Sequence, residues 1–84
     1  MYPIVPYSAM QDWRAVVAKN VGRLRRQRGL TQEELAFEAE IDLTYMGGIE
    51  RGERNLTLKS LERIADWIGV DPLALLQPAE PSDA

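Results

Sequence analysis

Residues Leu30–Asn55 read LTQEELAFEAEIDLTYMGGIERGERN and contain two helix starts eleven residues apart, Thr31 and Asp42. Thr31 is followed three positions later by Glu34, the spacing at which a hydroxyl and a carboxylate satisfy each other's backbone N–H groups. The helix opening there sets Leu35, Ala36 and Ala39 on one face and leaves Gln32, Glu33, Glu34 and Glu38 for water. Asp42 is a good N-cap for a second helix, in which Tyr45, Met46 and Ile49 recur at helical spacing. Gly52 can end it in the left-handed conformation. Two short helices joined by a polar break have the layout of a helix-turn-helix, which sets its helices roughly 90 to 120° apart.

Outward from this unit the chain continues to read as helix. Ser8 with Gln11 forms a possible second capping box, predicting a first helix from about Ala9 to Arg28 that Gly29 ends. Met10, Trp13, Val17, Val21 and Leu24 make its inner stripe, a set expected in the core because so small a domain needs its large side chains there. Thr57 caps a fourth helix with Leu58, Leu61, Ile64, Ala65 and Ile68 at helical spacing, closed by Gly69. Asp71 before Pro72 predicts a short fifth helix over Pro72–Leu76. No strand-like alternation or internal repeat interrupts this, so the expected fold class is all-α with five helices. The division is an N-terminal arm over 1–8 built around Pro3 and Pro6, a helical domain over 9–77, and a polar tail over 78–84 expected to fray.

Composition narrows the function. The chain has 84 residues, enough for one domain and too few for an elaborate enzyme. With no Cys and no His it lacks thiolate and imidazole metal ligands and the usual general base, so neither catalysis nor a metal, cofactor or small-molecule ligand is expected. Its apolar stretches fall short of the 18 or so residues of a membrane span, and MYPIVPYSAM lacks the pattern of a signal peptide; the expectation is a cytoplasmic protein. The net charge is −3 and the pI about 4.9. The charge is polarised: Arg14, Lys19, Arg23, Arg25, Arg26 and Arg28 precede an acidic block of Glu33, Glu34, Glu38, Glu40, Asp42 and Glu50, and Arg51, Arg54 and Lys59 then restore positive charge. For any single member of these runs, a solvated face is the simpler account.

The segments GLTQEELA, IERGERN and LTLKSLERIADWIGV resemble the Cro and phage-repressor-like (XRE) helix-turn-helix regulators over roughly residues 19 to 76, and TYMGGIERGERNLTLKSLE is most similar to restriction-modification controller proteins. The resemblance implies a lambda-repressor-like domain that binds double-stranded DNA as a homodimeric transcription regulator. It implies that the second helix of the motif meets base edges through Leu43, Thr44 and Gly48, and that Gln32 grips a phosphate at the N-terminus of the first. A helix N-terminus with unpaired N–H groups gives Thr31 and Gln32 a physical basis for that grip. Tyr45 is placed among the backbone contacts, as are Arg51, Arg54, Asn55, Thr57 and Lys59, which follow the recognition helix and would fix its register; Arg54 and Asn55 lead this set. Glu50 facing DNA would repel phosphate, so it must turn inward, and the family's pattern matches it to Arg25 as a structural ion pair.

The chain also departs from its relatives' pattern. Controller proteins commonly carry Arg where Leu43 stands, and Leu cannot make the bidentate guanine contact that Arg makes, worth roughly 1 to 3 kcal/mol of discrimination. Gly47 and Gly48 inside a helix each cost roughly 0.5 to 1 kcal/mol relative to Ala. Either they allow close backbone approach, to DNA or to the preceding helix, or they are tolerated variation. Recognition through DNA shape is the expected consequence of so few side-chain readers. Two-fold operators imply a dimer, for which Trp67, Ile68, Val70, Leu73, Leu75 and Leu76 offer an apolar patch. The rival expectation, motivated by the acidic pI, Leu43 and the glycine pair, is a protein-binding module such as an antitoxin, or a domain whose DNA binding has weakened.

Overall fold

Each short helix of the motif begins on the side chain that the sequence offers for it. In the computed structural model, which describes residues 11–78, α2 spans Gln32–Glu38 and α3 spans Leu43–Glu50. Thr31 Oγ1 accepts from the Glu34 N–H at 3.0 Å while Glu34 Oε1 accepts from the Thr31 N–H at 2.9 Å, completing the capping box. Asp42 Oδ2 accepts from the Tyr45 N–H at 3.1 Å. Helix α1 spans Trp13–Gln27 and α4 spans Leu58–Ile68, the latter capped by Thr57, whose Oγ1 accepts from the Ser60 N–H at 3.1 Å. Gly29, Gly52 and Gly69, which follow the ends of α1, α3 and α4, have φ of 72, 75 and 87°.

Three expectations about the helices need correction. Helix α1 starts at Trp13, not Ala9, because Asp12 is its cap: Asp12 Oδ1 accepts from the N–H groups of Arg14 at 3.1 Å and Ala15 at 3.4 Å. Ser8 and Met10, part of the other reading, lie outside the described residues, as does the arm over 1–8. The fifth element is a 3₁₀ turn over Pro72–Leu76 and not an α-helix. Asp71 Oδ1 accepts from the Leu73 N–H at 2.9 Å and Asp71 O from the Ala74 N–H at 2.8 Å, the tighter i to i+3 pattern of short pieces. Leu58, at the first position of α4, is 82% exposed, since the helix begins beyond the edge of the core.

Every regular element among the described residues is a helix or 3₁₀ turn, with no strand, and they pack around one core. Val17, Val21 and Leu24 of α1 meet Leu35 and Ala36 of α2, Met46 and Ile49 of α3, and Leu61, Ile64, Ala65 and Ile68 of α4, closed by Leu75 from the 3₁₀ turn. Trp13, expected within this stripe, is 37% exposed. Ile68 and Leu75 are 2% and 0% exposed, so they belong to the protomer's own core and have no surface to give to a dimer interface, a correction to their assignment there. Among the described residues no helix is long and apolar enough to cross a membrane.

One buried polar residue pins the C-terminal segment. Asn20, 2% exposed, donates from Nδ2 to the carbonyls of Leu75 and Gln77, both at 2.9 Å, and accepts on Oδ1 from Arg23 Nη2 at 3.2 Å. Arg28 donates from Nε to the Ile68 carbonyl at 2.9 Å, satisfying an end group of α4. Several members of the basic run on α1 are therefore engaged inside the domain.

Candidate nucleic-acid interface

The turn between α2 and α3 is made by Ala39, Glu40 and Ile41. Glu40 has φ of 57°, a left-handed conformation unusual for a residue with a side chain, and the Ile41 N–H donates back to the Ala36 carbonyl at 2.8 Å. Ala39 and Ile41 are buried on either side of it, which fixes the angle at which α3 leaves α2.

The far end of α3 is locked from beneath. Arg25 donates from Nε to Glu50 Oε2 at 2.7 Å and from Nη2 to Oε1 at 3.0 Å, and its Nη1 donates to the Leu30 carbonyl at 2.7 Å. Gln32 Nε2 donates to Glu50 Oε1 at 3.1 Å. The Glu50 carboxylate thus ties α1, α2 and the end of α3, and Arg25 adds the turn before α2. The side chains of the pair are only 11% and 7% exposed, so Glu50 is turned away from solvent and from any ligand on the outer face. Gln32 is half-buried in the same cluster, with its amide nitrogen already engaged.

With its inner face held, α3 turns its opening residues outward. Leu43 is 46% exposed and Thr44 is also exposed. Tyr45 is half-buried and its hydroxyl donates to the Asn55 carbonyl at 2.8 Å, holding the loop after α3 against the helix. Arg54 reaches back over Tyr45, its guanidinium carbon 5.9 Å from the ring centroid. Gly48 is buried, and what covers it is the stem of Arg54. Arg51, Asn55, Thr57 and Lys59 are exposed along the same edge. Arg51 donates from Nε to Glu53 Oε2 at 3.1 Å, a surface pair with both side chains more than half exposed and therefore weak. Thr31 sits at the α2 N-terminus with its hydroxyl committed to the cap.

The arrangement is two short helices joined by a fixed turn, with the opening residues of the second, Leu43 and Thr44, exposed. Residues 21–75 match the helix-turn-helix family. An HTH-type transcriptional regulator of Sinorhizobium fredii, y4dJ, is 39% identical over 69 residues, which are 82% of this chain and 90% of that protein. The control protein C.BamHI of Bacillus amyloliquefaciens is 39% identical over 64 residues, 75% of this chain and 79% of that protein. The crystal structure of the restriction-modification controller protein C.AhdI from Aeromonas hydrophila superposes with a TM-score of 0.72 at 35% identity, covering 74% of this chain and 94% of that one.

This chain belongs to the XRE-type helix-turn-helix family. Its relatives include an HTH-type transcriptional regulator and a control protein. Within this XRE domain the structure brings together Arg25, Gln32 and Glu50 in one cluster and Tyr45, Gly48, Arg54 and Asn55 in another. Trp67 and Leu73 are 53% and 64% exposed, while Val70 and Leu76 are half-buried. Asn20 escaped the sequence reading, although a signal was present: it is a polar residue three positions from Val17 and four from Leu24, within the apolar stripe of α1. Glu40 carried no such signal, because nothing in the side chain announces a positive φ.

Proposed function

We propose that this protein binds double-stranded DNA sequence-specifically, as a homodimeric transcription regulator of the controller type, by laying the outer face of α3 in the major groove. The observation that carries this is the combination of an exposed Leu43–Thr44 turn with an α3 whose opposite face is fixed by Glu50. A recognition element must be both accessible and rigid, since base edges are read by positioned groups. Thr44 reads a base edge and Leu43 touches a thymine methyl. Thr31, Gln32, Tyr45, Arg51, Asn55, Thr57 and Lys59 ring this face and serve the phosphates, positioning the helix without specifying sequence. Gly48 contributes only by what it admits.

The dimer is supported by Trp67 and Leu73, large apolar side chains exposed at the end of α4 and in the 3₁₀ turn, with Val70 and Leu76 beside them in sequence. Two copies related by a two-fold axis would present their recognition helices one DNA turn apart, about 34 Å. The resemblance to restriction-modification controller proteins extends this reading to a regulator that acts on its own gene.

Selection of bound duplexes from a random pool, followed by fluorescence anisotropy against salt, tests this. The expected result is a two-fold symmetric motif and an affinity that falls steeply between about 50 and 200 mM salt, with a log–log slope near −0.9 per phosphate contact. No enrichment and no salt dependence would favour a protein-binding module instead.

A further inference from the structure

Thr44 and Gly48 stand four residues apart on one face of α3, where successive side chains would project together. Neither Leu43 nor Thr44 carries the paired N–H donors that grip guanine, and Gly48 has no side chain. The space over Gly48 is nevertheless filled. A Cβ placed there would lie 2.6 Å from Arg54 Cγ, 3.0 Å from its Nε and 3.3 Å from its Cδ. The near end of the Arg54 stem, not its mobile tip, makes the closest approach, so any side chain at position 48 would displace Arg54 as a whole.

Arg54 is also the uncommitted arginine of this edge. Among the described residues its side chain makes no hydrogen bond or ion pair; the Tyr45 ring is its one charge-directed neighbour. Tyr45 in turn anchors the loop through the Asn55 carbonyl. Arg51 differs, since Glu53 already takes its Nε.

We propose that Arg54 is the guanine-reading residue of this domain, lying across Gly48 to present its forked guanidinium to O6 and N7 of a guanine in the major groove. Resting on the DNA-binding reading above, this gives the glycine a purpose: it is the seat that lets a residue from the following loop take the place of a reader on the helix. Guanidinium geometry suits the task because its donors are planar and fixed.

The test uses the full chain and the duplex selected by the wild-type protein. A guanine is expected in each half-site whose requirement disappears when selection is repeated with Arg54→Ala or Gly48→Ala. Replacing that guanine by 7-deazaguanine, which lacks only the N7 acceptor, is expected to weaken wild-type binding by about 5- to 150-fold. The same replacement should leave Arg54→Ala unaffected. Thermal melting of Gly48→Ala shows whether that variant folds; if it does not, Arg54→Ala with the modified base decides alone. Arg54→Ala weakening every duplex by one common factor, with base preferences intact, would overturn the proposal while leaving DNA binding in place. Failure of the wild-type chain to bind any duplex would overturn both.

Discussion

Arg25 and Glu50 form a two-pronged ion pair, 2.7 and 3.0 Å, that joins the first helix to the end of the third. Because the pair is nearly enclosed, its importance lies in what is stranded when one partner goes. Glu50→Ala would leave the Arg25 guanidinium and the Gln32 amide facing an empty site, and a loss of roughly 3 kcal/mol of unfolding free energy is expected. Urea denaturation checks this, and the double variant Arg25→Met with Glu50→Ala should lose less than the sum of the two single variants.

Asn20→Ala should release the C-terminal segment. Two carbonyls, the buried one of Leu75 and the part-buried one of Gln77, lose their donor, which is expected to cost about 2 kcal/mol. The local effect should exceed the global one: amide hydrogen exchange is expected to speed up first in the 3₁₀ turn, before α1.

Glu40→Gly should stabilise the protein. A side chain in the left-handed region costs about 1 to 2 kcal/mol, and Gly removes that strain at the expense of extra freedom in the unfolded chain. A net gain of up to about 1 kcal/mol follows, or a rise of about 4 to 8 °C in the melting midpoint of a domain this small. An unchanged or lower midpoint would mean that the φ of 57° carries no strain.

Thr31's backbone N–H, and after it the Thr31 hydroxyl, hold the Glu34 carboxyl below its ordinary pKa. A carboxylate whose pKa falls on folding adds stability above the ordinary glutamate value of about 4.3 and loses it as pH drops through the lowered one. Gln at position 34 keeps the capping acceptor without the charge. The melting midpoint of Glu34→Gln is therefore expected to lie below that of the wild type at neutral pH, with the gap closing on acidification past about pH 4.

Much of this molecule is legible in its sequence because its helix boundaries are written in single side chains. Thr31, Asp42, Thr57 and Asp71 each cap the element the sequence assigns to them. Capping is local chemistry, decided within three or four residues, and so it survives without knowledge of the fold. Burial is not local. Ile68 and Leu75 look like Trp67 and Leu73 in any hydropathy pattern, and only the packing of α4 against the 3₁₀ turn separates core from surface. The same limit explains Gly48. Its small size is visible, but its neighbour six positions on is set by the course of the loop through Gly52, which no spacing rule supplies. Arg28, at the end of the basic run, shows the same limit: its partner, the Ile68 carbonyl, lies 40 residues away.

DNA binding as proposed requires α3 to present its outer face to the duplex. Titrating the isotopically labelled protein with the selected duplex and following its amide resonances tests that most directly. The largest shifts are expected at Leu43, Thr44, Tyr45, Arg54 and Asn55, with Leu61 and Ile64 in the core little changed. Shifts confined to α4 and the 3₁₀ turn, with α3 silent at saturating duplex, would contradict it.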